Sequence, residues 1–198
     1  MSAFKGGRGR TALTAAGAVV LLLVAIGVYV LTRPPEGQVA MNFLAAIERG
    51  DLKEAQKHSF ADPGGPAVSD TIVPTYPWTP ERIVKTAPNE SSHDYDAVIE
   101  AGSTDLTLSV KTELTFAVGS DDGRDVVLYP LVKSSIVVEE ELTSLTVAGR
   151  EVGAGSMELL LLPGIYDVVG VRADGVRVSG RLTVGGLGGE MPVVELRG

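Results

Sequence analysis

Residues 105–118 read DLTLSVKTELTFAV, and the fold turns on their alternation. Leu106, Leu108, Val110, Leu114, Phe116 and Val118 alternate with Thr107, Ser109, Lys111, Glu113 and Thr115. Successive side chains of a strand point to opposite faces, so one face here is apolar and the other polar, as a half-buried strand requires. Downstream, Gly119-Ser120-Asp121-Asp122-Gly123 is a turn sequence leading into a partner strand, Asp125 to Glu139, interrupted at Pro130. Two strands this long predict a bent antiparallel sheet, with Pro130 at a bulge or an edge.

Upstream the period is 3.6. Val39, Phe43, Leu44 and Ile47 recur at helical spacing within Glu36 to His58, and Gly50 ends the first piece. Asp51 is a suitable N-cap for a second, short piece over Leu52 to His58, because its carboxylate accepts from free amides of the first turn. Asp62 to Pro66 is a Gly/Pro loop, and Val68 to Pro80, holding Pro74, Pro77 and Pro80, should be extended but poorly paired. Beyond Leu142 the strands shorten: Leu142–Ala148, Met157–Leu162, Tyr166–Arg172, Val176–Val184 and Pro192–Leu196, punctuated by Gly149, Pro163-Gly164, Asp174-Gly175 and Gly185-Gly186. That spacing predicts a small sandwich.

Before all of this stands Thr11 to Leu31, 21 residues without a charge. As a helix it would rise about 31 Å, the thickness of a hydrocarbon core. Lys5, Arg8 and Arg10 precede it, against Arg33 alone before Glu36, which favours the N-terminus inside. A cleaved signal peptide has a shorter apolar region and a small-x-small site, which Gly27 to Arg33 does not offer. A lipoprotein anchor needs a cysteine, and the chain has none. The expected class is therefore α+β: a basic cytoplasmic tail (1–10), a transmembrane helix (11–32), short helices against a curved antiparallel sheet (33–140), and a small all-β sandwich-like domain (141–198). The expected location is the plasma membrane, with the C-terminal bulk extracytoplasmic.

That bulk carries all 25 acidic residues and 13 of the 17 basic ones, a net charge of −12. Nucleic acid and anionic lipid headgroups both require the opposite sign. Without cysteine there is no disulfide, no thiolate nucleophile and no cysteine-bound metal.

The segment Phe43-Leu44-Ala45-Ala46-Ile47-Glu48-Arg49-Gly50-Asp51-Leu52-Lys53-Glu54-Ala55 resembles the opening of cystatin-like α+β domains of bacterial envelope proteins. The resemblance implies a helix, a Gly-Asp break and a short helix before a sheet that wraps them, over roughly residues 36–140. Leu145-Thr146-Val147-Ala148-Gly149-Arg150-Glu151-Val152-Gly153, with Leu162-Pro163-Gly164-Ile165-Tyr166-Asp167-Val168, is similar to the small β-domains of PEGA and TcaA-like surface proteins, over about 142–185. Such families imply a role in envelope sensing or assembly, and neither resemblance carries over a catalytic residue.

Few residues carry side chains in patterns that suggest chemistry. His93 lies in Ser91-Ser92-His93-Asp94-Tyr95-Asp96, a hydroxyl, an imidazole and carboxylates in one short stretch. Sequence neighbours seldom converge as a triad, and no nucleophile-elbow motif accompanies them, so a solvated turn is the better reading. His58 closes a helix, where a cap role outweighs a ligand role, and two histidines 35 positions apart make no zinc site. Asp121-Asp122-Gly123-Arg124-Asp125 lacks the alternating ligands of a calcium loop and reads as a hairpin turn. Glu139-Glu140-Glu141 reads as a charged linker, Gly185 to Gly189 lacks the helix and basic residue of a phosphate loop, and Asn89-Glu90-Ser91 matches a short glycosylation sequon. No cofactor or metal is implied.

Tyr76-Pro77-Trp78 is the most suggestive segment. Tyr76 and Trp78 are candidate interaction residues, able to stack on a glycan or peptide, although Trp78 equally suits a role covering the edge of the helix–sheet core. The leading expectation is a non-catalytic, membrane-anchored interaction module whose partner is an envelope protein or glycan. The alternative is a small-ligand (lipid or glycan) receptor, its cavity lined by Phe43, Ile47, Leu108, Val110 and Phe116. A hydrolase built on His93 is the third reading.

Overall fold

The computed structural model describes residues 34–61, 63–88, 94–104, 109–138, 141–185 and 192–196. Thr11–Leu31 lies outside them, as do Leu106, Leu108, His93, the Asn89 sequon, Glu139-Glu140 and most of Gly185–Gly189. Among the described residues no helix is long and apolar enough to cross a membrane. The expected α+β class is corrected: the described residues are mostly β, 57% strand against 14% helical, with two α-helices among them, and the expected transmembrane helix lies outside them. The helices stay short, and Val68 to Pro80, expected to be extended but poorly paired, pairs only at Tyr76–Pro77 and at the start of an edge strand.

Helix α1 (Gln38–Glu48) buries Val39, Ala40, Phe43, Leu44, Ala46 and Ile47, the stripe that the i, i+4 spacing marks. Gly50 ends it at φ +69°, and the Asp51 amide reaches back to the Ala46 carbonyl (2.9 Å) while Gly50 donates to Ile47 (2.9 Å), a Schellman closure. Asp51 then caps α2 (Leu52–Lys57), its Oδ1 accepting from the Glu54 amide at 3.0 Å.

These helices lie against a four-stranded antiparallel sheet in the order β2 (Thr79–Pro88), β3 (Tyr95–Thr104), β4 (Ser109–Asp121) and β5 (Arg124–Val127). Ala97 pairs with Phe116 and Ile99 with Leu114, so the Leu114, Phe116 and Val118 part of the predicted alternation presents an apolar face to the helices. β4 and β5 join through Asp122 (φ +49°) and Gly123 (φ +75°), both left-handed as a two-residue type I′ turn requires. Pro80 and Pro88 sit in the edge strand β2, where a missing amide does least harm, and β2 slips register twice against β3.

At Pro130 the chain leaves this sheet. Asp125–Glu139 is two strands, and β6 (Val132–Val138) pairs with β9 (Met157–Leu161) and, in parallel, with β12 (Val193–Leu196). A proline without an amide donor cannot continue a ladder, so the break falls where the sheets part. Opposite lies a five-stranded sheet. β10 (Gly164–Arg172) carries β11 (Arg177–Val184) on one edge and, on the other, β7 (Leu142–Val147) and the two-residue β1 (Tyr76–Pro77); β8 (Arg150–Gly153) follows β7. β8, absent from the sequence reading, is made by another I′ turn, Ala148 (φ +49°) and Gly149 (φ +78°). The two sheets enclose a second apolar cluster, including Ile136, Leu145, Tyr166, Leu182, Val194 and Leu196. Such a pair of sheets is consistent with a sandwich.

Residues 36–198 form one compact unit. The expected boundary at 140/141 cuts through it: β6, assigned by sequence to the first domain, belongs to the second pair of sheets, whereas Leu162 and Ile165 belong to the first cluster.

Candidate functional site

The chain passes from the five-stranded to the four-stranded sheet at Trp78, between β1 and β2. That crossing decides what each half of the Tyr76–Trp78 segment can do. Trp78 is 1% exposed and its Nε1–H donates to the Val184 carbonyl at the end of β11 (2.9 Å). It cannot stack on a ligand, and the reading of Trp78 as an interaction residue is corrected: an indole with one donor fills the junction and satisfies a strand-end carbonyl there.

Tyr76 behaves otherwise. Half-buried on the edge of β10, it lies under the Arg181 guanidinium, with Cζ 5.2 Å from the ring centroid. Arg181 Nε also donates to Asp167 Oδ1 (3.1 Å), and the Asp167 amide donates to Thr75 Oγ1 (3.0 Å). Side chains alternate along β10 and β11, so Asp167, Ser179 and Arg181 share the face turned away from the second core. Around them is a depression of about 400 Å³, lined by Asp167, Val168, Val169, Ser179, Gly180 and Arg181. A guanidinium, a carboxylate and a hydroxyl converge here beside an aromatic ring. That set offers charged donors and acceptors for a polar ligand but neither a nucleophile–base pair nor a metal set. Sequence reading missed Asp167, Ser179 and Arg181, because what brings them to Tyr76 is the long-range pairing of β1 with β10 (Tyr76 opposite Ile165, Pro77 opposite Gly164).

The residues expected to line a cavity are placed as follows. Phe43 and Phe116 meet edge to face, centroids 6.1 Å apart at 73°, and Ile47 is buried in the same cluster. These three are packed against protein. Val110 is 37% exposed, beyond the stretch of β4 that buries Leu114 and Phe116, and Leu108 is outside the described residues.

His58 caps α2, with Nε2 3.4 Å from Glu54 Oε1, and its carbonyl accepts from the Val127 amide (2.9 Å). Among the described residues no group of three or more His, Asp or Glu could hold a metal ion. Two tyrosines are perturbed, each for a structural reason. Burial pushes the Tyr95 phenol up to about 12, opposed in part by the Gly37 amide, which donates to its oxygen (3.0 Å). Its own proton goes to Asp125 Oδ2 (3.1 Å), so this ring ties the start of α1 to β5. Tyr166 is also pushed up by burial; its hydroxyl donates to the Leu162 carbonyl at 2.9 Å.

Comparison of the chain with protein-family models, with curated proteins and with solved structures finds no match.

Proposed function

We propose that this protein is a non-catalytic interaction module of a bacterial-type cell envelope. In this reading the apolar segment Thr11–Leu31 tethers it to the plasma membrane, the N-terminus is cytoplasmic and the acidic 36–198 unit is extracytoplasmic. The observation that carries the reading is the depression beside Tyr76: Arg181, Asp167 and Ser179 line it on the sheet face turned away from the second core and have no part in either apolar cluster. Charge contributes as well. A unit at −12 stays soluble and repels nucleic acid and anionic headgroups, which leaves polar recognition of an envelope protein as the chemistry on offer. The small-ligand alternative is the weaker reading, since Phe43, Ile47 and Phe116 are buried together in the first apolar cluster.

The test is a capture experiment from membranes with the full chain and with the double variant Tyr76→Ala, Arg181→Glu. Wild type is expected to retain a reproducible partner that the variant loses, while the emission of Trp78 stays unchanged and shows the fold intact. Equal recovery by both chains, or no reproducible partner with wild type, would sink the proposal.

A further inference from the structure

Strand β12 occupies a slot rather than a hairpin. It pairs with β6 alone and in parallel (Val193 opposite Ser135, Leu196 opposite Val138), and the Ser135 amide also donates to the Pro192 carbonyl (2.8 Å). Its inward side chains, Val194 at 7% and Leu196 at 2% exposure, close the second apolar cluster beside Ile136 and Leu182. The slot floor is built for them. A Cβ on Gly180 of β11 would stand 2.8 Å from Val194 Cγ2 and 3.1 Å from Leu196 Cδ2, so only a glycine lets this strand seat fully. Emptied, the slot would leave a free β6 edge above exposed core, a surface that pairs with any extended segment of matching pattern.

We propose that this slot is a strand-acceptor site, and that its second occupant is the Val193–Leu196 strand of another copy of this chain. The partner's chemistry is set by the slot: extended backbone, two apolar side chains inward, and outward positions that tolerate Val193 and Glu195. A second copy supplies all of it by definition. An exchanged strand makes every contact that the resident strand makes, so exchange is decided by chain connection and concentration instead of by new contacts. The strand that precedes β12 in the chain, β11, lies in the other sheet. Eight residues, four of them glycine, connect Val184 to Val193, a reach of up to about 26 Å. This inference is independent of the depression beside Tyr76.

A chain free of cysteine allows a clean test. Ser135 and Val193 are directly opposite and share the outer face, within disulfide reach in principle. The full chain carrying both Ser135→Cys and Val193→Cys should close an internal disulfide under mild copper-catalysed air oxidation, two thiols giving one S–S bond as oxygen is reduced. Ser135→Cys chains are then unfolded and refolded at high concentration together with Val193→Cys chains, and oxidised. A seated strand holds its thiol at millimolar effective concentration, so the mixed disulfide should exceed a control pair, Val193→Cys with Lys85→Cys, by about 100-fold. The proposal is overturned if the double variant closes within one chain while the mixed pair gives no more product than the control. Failure of the double variant to close overturns the slot itself.

Discussion

Replacing Trp78 by Phe tests whether one side chain holds the two cores together. The substitution removes the Nε1–H that the Val184 carbonyl accepts at 2.9 Å, in a site 1% exposed. Stranding a buried acceptor costs about 1–3 kcal/mol. The smaller ring leaves part of the junction unfilled, and by large-to-small core precedent this adds about 1 kcal/mol or more. The sum, roughly 2–4 kcal/mol, is a large share of the 5–15 kcal/mol typical of a folded domain. Urea unfolding followed by far-UV circular dichroism reads it directly. Because Trp78 belongs to the first cluster and bonds a strand of the second, wild type should unfold in one transition, and Trp78→Phe should move that whole transition to lower urea with its slope unchanged. Two transitions in wild type, or a variant in which only part of the signal shifts, would refute the strut. So would a loss below about 0.5 kcal/mol, the range of an ordinary surface change.

Three further outcomes follow from particular residues. Ala148 holds φ +49° in the β7–β8 turn, so Ala148→Asn, completing an Asn-Gly pair, should stabilise by about 0.5–1 kcal/mol in the same urea assay. Gly170→Ala should destabilise by about 1–3 kcal/mol, because its Cβ would stand 2.5 Å from Leu142 Cδ1 and 3.0 Å from Val178 Cγ2; an unchanged midpoint would show that this core has room to spare. Tyr95 should ionise near pH 12, two units above the ordinary phenol, when absorbance at 295 nm is followed in the folded protein. The unfolded chain gives up that proton more readily, so the associated stability is intact below about pH 10 and is lost as pH rises towards 12. Tyr95→Phe should flatten that decline, and a pH profile identical to wild type would remove Tyr95 as its cause.

Local features were readable wherever a short window contains their cause. The Val39, Phe43, Leu44 and Ile47 stripe, the Gly50 stop, the Asp51 cap and the Asp122-Gly123 turn all depend on residues within a few positions of one another. The strands of the last third were visible within a residue or two for the same reason, although β8, with Val152 as its one apolar side chain, carries no alternation to read. What failed was every feature that depends on distant pairing. Periodicity cannot say that a run broken at Pro130 continues in another sheet, that Tyr76 pairs with Ile165, or that Val110 passes beyond the helices that bury Phe116. The α+β expectation failed on proportion, because the helices are only 11 and 6 residues long while strands fill most of the rest of the described chain. At the candidate site only Tyr76 was anticipated. Asp167, Ser179 and Arg181 look like ordinary outward strand residues until β1 is laid beside β10.

That residues 36–198 behave as one body rests on a tryptophan sealed between two cores, and acrylamide quenching of native fluorescence interrogates it without mutation. The chain has a single Trp, so the emission reports on Trp78 alone. Sealed, it should emit in the blue and resist the quencher until the protein is unfolded, when both properties change together. Red-shifted native emission, quenched as readily as free indole, would place the ring in solvent and break the link between the sheets.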